Sequence, residues 1–473
     1  MSLSTFLIMR HEILLTVAVL LVLMAEIFWN PEKKQGISLF SIILLGVITV
    51  IGFLPAPTGP LFGGMYISSG TRLLMKNILN IGALLVFIQS VTWLKKEENY
   101  EKVSEYFLLL ISTLIGMNFM ISAGHFLIFY IGIELATIPI AALAAYDRYR
   151  NKSAEAGIKL ILMSALSSGV LLYGLSMIYG TTGTMYFSEV ASLFTNSSLQ
   201  ILGFIFFFSG MAFKISIVPF HLWTADVYEG APVNITSYLS VISKGAAVFI
   251  LMIILYKVFP VIILTWQKTL FVTSILTMTI GNLFAIRQQN LKRFLAFSSI
   301  SQAGYILLGF IGGNQLGMAS VIYYVLVYIF SNLGAFGVVT AISNATGKEN
   351  IDDYNGLYHT NPGLSLIMTL ALFSLAGIPP VAGFFGKFFL FTAAAQKGFY
   401  LLVLIAVLNT IISLFYYLLV VKAMFISKSE TPIAKFNSDF PTKLALGICA
   451  AGIFATGFAS VIFEMIKNLS FGV

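Results

Sequence analysis

The chain has 473 residues, of which 58% are hydrophobic and only 10% charged. An ordinary soluble domain carries about 25% charged residues, so this composition excludes a cytosolic enzyme, a disordered chain and a nucleic-acid binder. The net charge of +8 reads as positive loops on one membrane face rather than as attraction to a polyanion. A single cysteine, Cys449, excludes an intramolecular disulfide, a thiolate zinc cluster and an iron–sulfur site held by this chain.

A bilayer core of about 30 Å needs about 20 helical residues. Fourteen apolar segments are long enough, near 11–29, 37–54, 73–94, 104–121, 124–146, 153–179, 199–223, 231–256, 262–285, 291–313, 317–344, 361–396, 400–426 and 441–466. One such segment is compatible with a buried core helix; fourteen are not. The expected fold is therefore an all-α polytopic membrane protein, with its longest polar connection at 345–360. The first span follows Arg10, lacks a small-x-small cleavage site and runs into Trp29-Asn30-Pro31, which predicts a retained helix.

Fifteen cations lie in loops after odd-numbered spans, among them Lys33, Lys34, Arg148, Lys152 and Lys292. Seven lie on the other side: Arg10, Arg72, Lys76, Lys257, Lys268, Lys397 and Lys467. The imbalance predicts that the first face is cytoplasmic and that both termini are outside, in the periplasm.

Two spans are interrupted. In span 7, Pro219 has no N–H, so the Ile215 carbonyl loses its helical partner. Span 12 would be about 54 Å long as continuous helix, more than one crossing, and contains Ala376-Gly377-Ile378-Pro379-Pro380 followed by Gly383 and Gly386. A packing kink would account for either break alone. Taken as two five-helix units, spans 4–8 and 9–13 have opposite orientation, because five is odd, and both breaks fall on the fourth helix. Matching broken helices in inverted halves point to an ion or substrate path between them. The predicted organisation is a three-helix segment at 1–103, a first repeat at 104–256, an inverted repeat at 257–426 and a last loop and helix at 427–473.

An ionisable group at the bilayer centre costs at least about 2.5–3.5 kcal/mol. Glu134 (span 5), Lys214 (span 7), Lys244 (span 8) and Lys387 (span 12) all lie deep. One reading is a static Glu134–Lys214 ion pair. The other is a proton path, in which the distance to a carboxylate sets whether a buried lysine is charged. One glutamate cannot neutralise three lysines, which favours the path. Lys159, two turns inside span 6, and Lys422, near the end of span 13, are expected to snorkel. His221 suits either a proton relay or a helix-end hydrogen bond. His125 and His359 read as structural or solvated, and Glu12 and Glu26 at the ends of span 1 as reaching interfacial water. There is no glycine-rich phosphate loop, no HExxH and no Gly-x-Ser-x-Gly, and four scattered histidines make no metal or haem set.

The run from Phe213 to Pro232, with Phe213-Lys214, Val218-Pro219-Phe220-His221 and Asp226-Val227-Tyr228-Glu229-Gly230-Ala231-Pro232, closely resembles the FKxSxVPFHxWTPDVYxGAP signature of the subunit N family of bacterial respiratory complex I. The stretches 290–300, 374–388 and 155–159 resemble the same family, so the likeness spans almost the whole chain. It implies a proton-translocating, antiporter-like membrane-arm subunit of NADH:quinone oxidoreductase, with fourteen helices, inverted repeats and broken helices 7 and 12. Glu134 and Lys214 resemble its coupled pair, Lys244 its central lysine and Lys387 its exit-side lysine. Lys159, His221, Pro219 and Pro379 also match. The resemblance implies other membrane-arm subunits and lipid as partners, with flavin, iron–sulfur clusters and quinone in those other subunits and no cofactor here. Ala225 replaces a usual proline, Gln302 stands where many relatives have histidine, and Leu419 stands where arginine is expected. The chain ends soon after span 14, without the long lateral helix of the distal subunit. The alternatives are a subunit of a multi-subunit cation/proton antiporter or membrane hydrogenase, an intramembrane enzyme using Glu134 and His221, and a purely structural role.

Overall fold

In the computed structural model, residues 3–29, 34–147 and 149–469 are described. Asn30, Pro31, Lys33 and Arg148 lie outside them. Helix ends follow local chemistry. Ser197 caps the N-terminus of Ser198–Ile215 in a capping box with Gln200, Asn290 accepts from the amides of Lys292 and Arg293, and Asn314 accepts from Gly317. Gly183 and Gly347, at φ 70° and 73°, close two 32-residue helices in the left-handed conformation.

The helices of nine or more residues, in chain order, are α1 (Arg10–Phe28), α2 (Gln35–Gly52), α3 (Gly70–Leu94), α4 (Val103–Ile121), α5 (Phe126–Ala144), α6 (Asn151–Thr182), α7 (Ser198–Ile215), α8 (Leu222–Gly230), α9 (Val233–Lys257), α10 (Pro260–Ala285), α11 (Leu291–Gly312), α12 (Gln315–Thr346), α13 (Pro362–Ala376), α14 (Ala382–Gln396), α15 (Tyr400–Phe425), α16 (Phe440–Phe458) and α17 (Ser460–Leu469). Among the described residues, thirteen helices are long and apolar enough to cross a membrane. The predicted span 361–396 is instead two helices of 15 residues each, α13 and α14, neither long enough to cross alone. A hairpin that the hydropathy pattern did not predict joins α2 to α3: β1 (Gly59–Leu61) pairs antiparallel with β2 (Tyr66–Ser68).

Burial divides the bundle. The most apolar stretches of α11 and α12 are buried completely and that of α9 almost so, whereas those of α1, α10 and α15 are buried over only about a third of their residues. In hydrocarbon, the exposed faces need only be apolar. The interior helices can carry polar side chains because other helices supply partners.

The structure revises the reading of the outer-face charges. Glu12, expected at interfacial water, is 2% exposed and ion-paired at 2.5 Å to Lys76, which is 0% exposed. The Tyr66 hydroxyl donates to Glu12 at 2.9 Å and accepts from Lys76 at 3.0 Å. Arg10 is also buried, and donates to the carbonyls of Gly52, Leu54 and Pro55; Arg72 donates to Ile67 and Ala123. These three cations tie α1, α2, the hairpin and α3 together rather than populating a loop. Glu26 pairs with Lys34 at 2.9 Å.

Removing one partner of a buried pair strands the other. Lys76→Ala is expected to destabilise the protein by about 3–5 kcal/mol. The paired change Glu12→Leu with Lys76→Met is expected to recover most of that loss. Thermal unfolding of the detergent-solubilised protein checks both; a single variant as stable as the parent would contradict the assignment.

Candidate functional site

Both predicted breaks are present, and they are built alike. α7 stops at Ile215 because Ser216 turns left-handed (φ 67°); the Ser216 amide donates to Phe213 and the Ile217 amide to Ala212. α13 stops at Ala376 because Gly377 turns left-handed (φ 86°); its amide donates to Ser374, and that of Ile378 to Phe373. Each is the same two-bond C-terminal motif. The chain therefore leaves the helix before proline is reached, and proline is not what ends it. Pro219 and Pro380 each lie three residues beyond the left-handed residue, so Pro380, rather than Pro379, matches Pro219. Gly383 is required by space: a Cβ there would lie 1.7 Å from the Ser374 carbonyl oxygen.

Lys214 donates to the Thr137 hydroxyl of α5, which in turn donates to the Ile133 carbonyl at 2.6 Å. Thr137 lies one turn from Glu134, whose Oε1 has no hydrogen-bond partner. The static Glu134–Lys214 contact is thus not made in this conformation; a neutral hydroxyl stands in for it. Lys244 is buried and donates to Ser299 Oγ of α11 at 2.6 Å, with its ammonium 5.9 Å from the Tyr228 ring of α8. It directly follows a wide-turn helical segment, Leu239–Ser243, within α9; such bulges are frequent at functional sites.

Lys387 of α14 donates to the Ala376 carbonyl at 3.0 Å and lies 4.4 Å over the Tyr305 ring. A cation at a helix C-terminus satisfies an orphan carbonyl and meets the negative end of the helix dipole. The neighbouring Leu375 carbonyl accepts from Gln302 Nε2 at 3.0 Å. The same nitrogen lies 3.2 Å from the Tyr417 hydroxyl, which is 2.6 Å from Ser298 Oγ, and the Tyr324 hydroxyl donates to Gln302 Oε1. Ser298 and Ser299 are adjacent in α11. The polar groups between Lys244 and Lys387 therefore form two hydrogen-bonded segments, Lys244–Ser299 and Ser298–Tyr417–Gln302–Leu375 carbonyl, which begin on adjacent residues of α11; the second ends one residue from the Ala376 carbonyl that Lys387 holds.

A second set of polar groups runs from the loops that follow odd-numbered spans to the wide turn just before Lys244. It starts at a cavity of about 40 Å³ lined by Lys96, Asp147, Arg150, Lys292, Glu349 and Asn234, among others, room for two or three waters. Burial holds the Asp147 carboxyl above its ordinary range, and burial with Arg150 nearby lowers Lys96. From there Thr340 donates to Asn234 Oδ1 at 3.2 Å, Ser237 donates to the Asn234 carbonyl at 2.7 Å, Ser240 to that of Ser237 at 2.8 Å, and Asn332 to Ser240 Oγ at 2.6 Å. Asn332 Oδ1 has no protein partner, so the file has an open acceptor next to the wide turn.

The remaining sequence expectations divide. His221 is buried just before α8 with Nδ1 unpartnered; the break has removed the helix face it would have shared with Lys214. Lys159 does not simply snorkel: it pairs with Glu155 at 2.7 Å and Asp226 at 2.8 Å. His125 is structural, its Nδ1 accepting the Leu127 amide at the start of α5. Lys422 and His359 are exposed. Leu419 lies on the outward face of α15, where a leucine fits lipid. The residues that sequence reasoning missed are Thr137, Tyr228, Ser298, Ser299, Tyr324 and Tyr417. Each is neutral and carries no hydropathy signal that would separate it from core packing.

Residues 123–413 match the family described as NADH:quinone oxidoreductase/Mrp antiporter, TM. Over 99% of both chains, the sequence is 52% identical to NADH-quinone oxidoreductase subunit N of Phocaeicola vulgatus. It is 38% identical to that of Trichlorobacter lovleyi over 94% of this chain and 93% of the relative. Among solved structures, it is similar to a chain of respiratory complex I from Thermus thermophilus with bound aureothin, with TM-score 0.81, 26% identity and coverage of 98% and 100%. A chain of the Mrp complex from a Dietzia species shares the fold, with TM-score 0.86, 21% identity and coverage of 99% and 97%.

Because the missing Cβ at Gly383 is what lets α14 begin beside the end of α13, Gly383→Ala is expected to force the two apart. The expected cost is at least the upper end of about 1–3 kcal/mol, typical of overpacking. A thermal-shift measurement that finds no fall in the unfolding midpoint would contradict this.

Proposed function

The chain belongs to the subunit N family of NADH-quinone oxidoreductases, and on that footing we propose how it translocates protons. It is a proton-translocating, multi-pass subunit of the membrane arm. In our reading it crosses the membrane fourteen times, with α7–α8 and α13–α14 each making one broken crossing. Residues 104–256 and 257–426 form the two inverted five-helix units. The matched helix ends at Ser216 and Gly377, each followed three residues later by proline, support that pairing.

Protons are taken up at the cytoplasmic face, pass by way of the Asn234–Ser237–Ser240 file to Lys244, cross to Lys387 and leave on the periplasmic side. Both termini lie outside in this orientation. The observation that carries the reading is that hydrogen-bonded polar groups line the space between the two lysines: Ser299 on Lys244, then Ser298, Tyr417, Gln302 and the Leu375 carbonyl beside the Ala376 carbonyl on Lys387. Serine and tyrosine hydroxyls both donate and accept, so a proton can hop along them; the Gln302 amide and the backbone carbonyls only line the route, and water carries the proton past them. Gln302 cannot store a proton near neutral pH, and acts as the fixed joint that holds the tyrosine hydroxyls and the Leu375 carbonyl in register. His221 and Lys159 support the path without lying on it.

Glu134 and Lys214 form the control pair. With Lys214 held on Thr137, Glu134 keeps an unpartnered oxygen. A move of the ammonium by about one helical turn would close the ion pair and leave less positive charge facing Lys244. Quinone reduction takes place in partner subunits, which hold the flavin, iron–sulfur clusters and quinone, and reaches this chain as a change of electrostatic field. The multi-subunit antiporter alternative is met by the fold alone, whereas identity of 52% over 99% of both chains supports subunit N. Co-purification with flavin and iron–sulfur subunits separates the two.

In the assembled complex, Lys214→Ala and Glu134→Gln are each expected to lower proton pumping per electron pair, and Lys244→Ala and Lys387→Ala to abolish it. Proteoliposome pumping assays at matched assembly check this; normal pumping in any of the four rejects that residue's role. Tyr417→Phe removes one hydroxyl from the bridge. It is expected to slow coupled turnover about fivefold, the equivalent of one hydrogen bond of about 1 kcal/mol.

A further inference from the structure

α8 is only nine residues long, and the break cuts it off from the hydrogen-bonded ladder of α7. Yet it carries the ring that faces Lys244. A short helix of this kind needs an external hold, and one is present on its outward side. Asp226 pairs with Lys159 at 2.8 Å and with Arg293 at 2.7 Å; Glu229 pairs with Lys152 at 2.9 Å and with Arg293 at 3.0 Å. The cations come from α6 and from the start of α11. Glu155 completes the set on Lys159 at 2.7 Å.

Three features make this more than a solvated charged face. The set is closed and neutral, with three cations and three carboxylates, so it adds no net charge to the path. Arg293 grips two carboxylates one turn apart, which fixes α8 along its axis as well as sideways. At the end of α8, Gly230 lets the backbone meet α6 so closely that a Cβ would lie 2.3 Å from the Lys152 carbonyl oxygen. Asp226 and Tyr228 are two residues apart, about 200° around the helix. The carboxylate is therefore held on one side while the ring is presented on the other, 5.9 Å from the Lys244 ammonium. Inside α8, the Trp223 indole N–H donates to the Phe213 carbonyl at 3.0 Å, which tethers its start to the end of α7.

We propose that Asp226 and Glu229, through Lys159, Arg293 and Lys152, are positioning residues that hold α8 so that the Tyr228 ring stays over Lys244. Asp226 has one oxygen on Lys159 and the other on Arg293, so it holds rather than carries a proton. This rests on the reading that Lys244 carries protons.

The test uses the native assembled complex in proteoliposomes and reads protons pumped per electron pair, normalised to assembled complex. Asp226→Ala and Tyr228→Leu are each expected to lower that ratio about fivefold. Because one acts through the other, the double variant is expected to be no worse than Tyr228→Leu alone. Asp226→Glu, which keeps a carboxylate for both Lys159 and Arg293, is expected to retain at least half of the parental ratio. A merely structural role would reduce the amount of complex and leave the ratio unchanged. Normal pumping by Asp226→Ala, losses that multiply in the double variant, or an assembled Asp226→Glu variant that falls to the Asp226→Ala level would each overturn the proposal. If Asp226→Ala fails to assemble, Asp226→Asn decides with Asp226→Glu: a fivefold fall in the first with half or more retained in the second supports the clamp, and any other pair of results overturns it. Lys244→Ala is run in parallel. Normal pumping there removes the underlying proton reading, whereas lost pumping there with intact pumping in Asp226→Ala removes the clamp alone.

Discussion

A backbone carbonyl that ends a helix inside hydrocarbon has no water to turn to, and leaving it unpaired costs several kcal/mol. Most of this site follows from that constraint. Two helices end inside the bundle, and each ending frees carbonyls that must find donors. At α13 the donors are the Lys387 ammonium and the Gln302 amide. At α7 they are backbone amides and the Trp223 indole. A lysine deep in the membrane and a carbonyl deep in the membrane are each unfavourable alone. Together they are compatible, and their meeting point is a polar locus that hydrocarbon would otherwise exclude.

The same constraint explains why the polar path runs where it does. α9, α11 and α12 are the most enclosed helices of the bundle, and they carry Lys244, Ser298, Ser299, Gln302, Tyr324 and Asn332. On an outward helix these groups would face acyl chains. In the interior, each finds a partner on a neighbouring helix, and the hydroxyls act as both donor and acceptor. The lipid-facing helices stay apolar, as at Leu419, where an arginine would meet lipid. Gln302, where histidine was expected, bonds to Tyr417, Tyr324 and the Leu375 carbonyl. Gln302 makes the contacts of a fixed joint, and the titratable capacity lies at the two ends.

Much of this was legible in one dimension. Hydropathy located the long apolar helices, since each residue's transfer cost is local. Left-handed Gly377 and the prolines announced the breaks, although it is the paired amide-to-carbonyl bonds at Ser216 and Gly377 that end the helices before proline acts. Lys214, Lys244 and Lys387 stood out because a charge in an apolar run is conspicuous. Thr137, Tyr417 and Ser299 did not, because a hydroxyl in a membrane helix is common and is usually satisfied by its own backbone. Glu12 was read as interfacial and Lys76 was counted among the charges of one membrane face for a related reason: each sits near a helix end in sequence, and only the folded structure pairs and buries them.

The sequence by itself determined the class of protein, the number of apolar segments, the two interruptions and the buried charges, because those depend on the cost of moving each residue out of water. Only the tertiary structure decided the partners: Lys76 with Glu12, Gln302 with Tyr417 and Leu375, Lys159 and Arg293 with Asp226, and Lys214 with Thr137 rather than Glu134. The partners in these pairs lie 64 or more residues apart. Which of many polar groups come within 3 Å is set by how whole helices pack, and no local property of the chain encodes that distance.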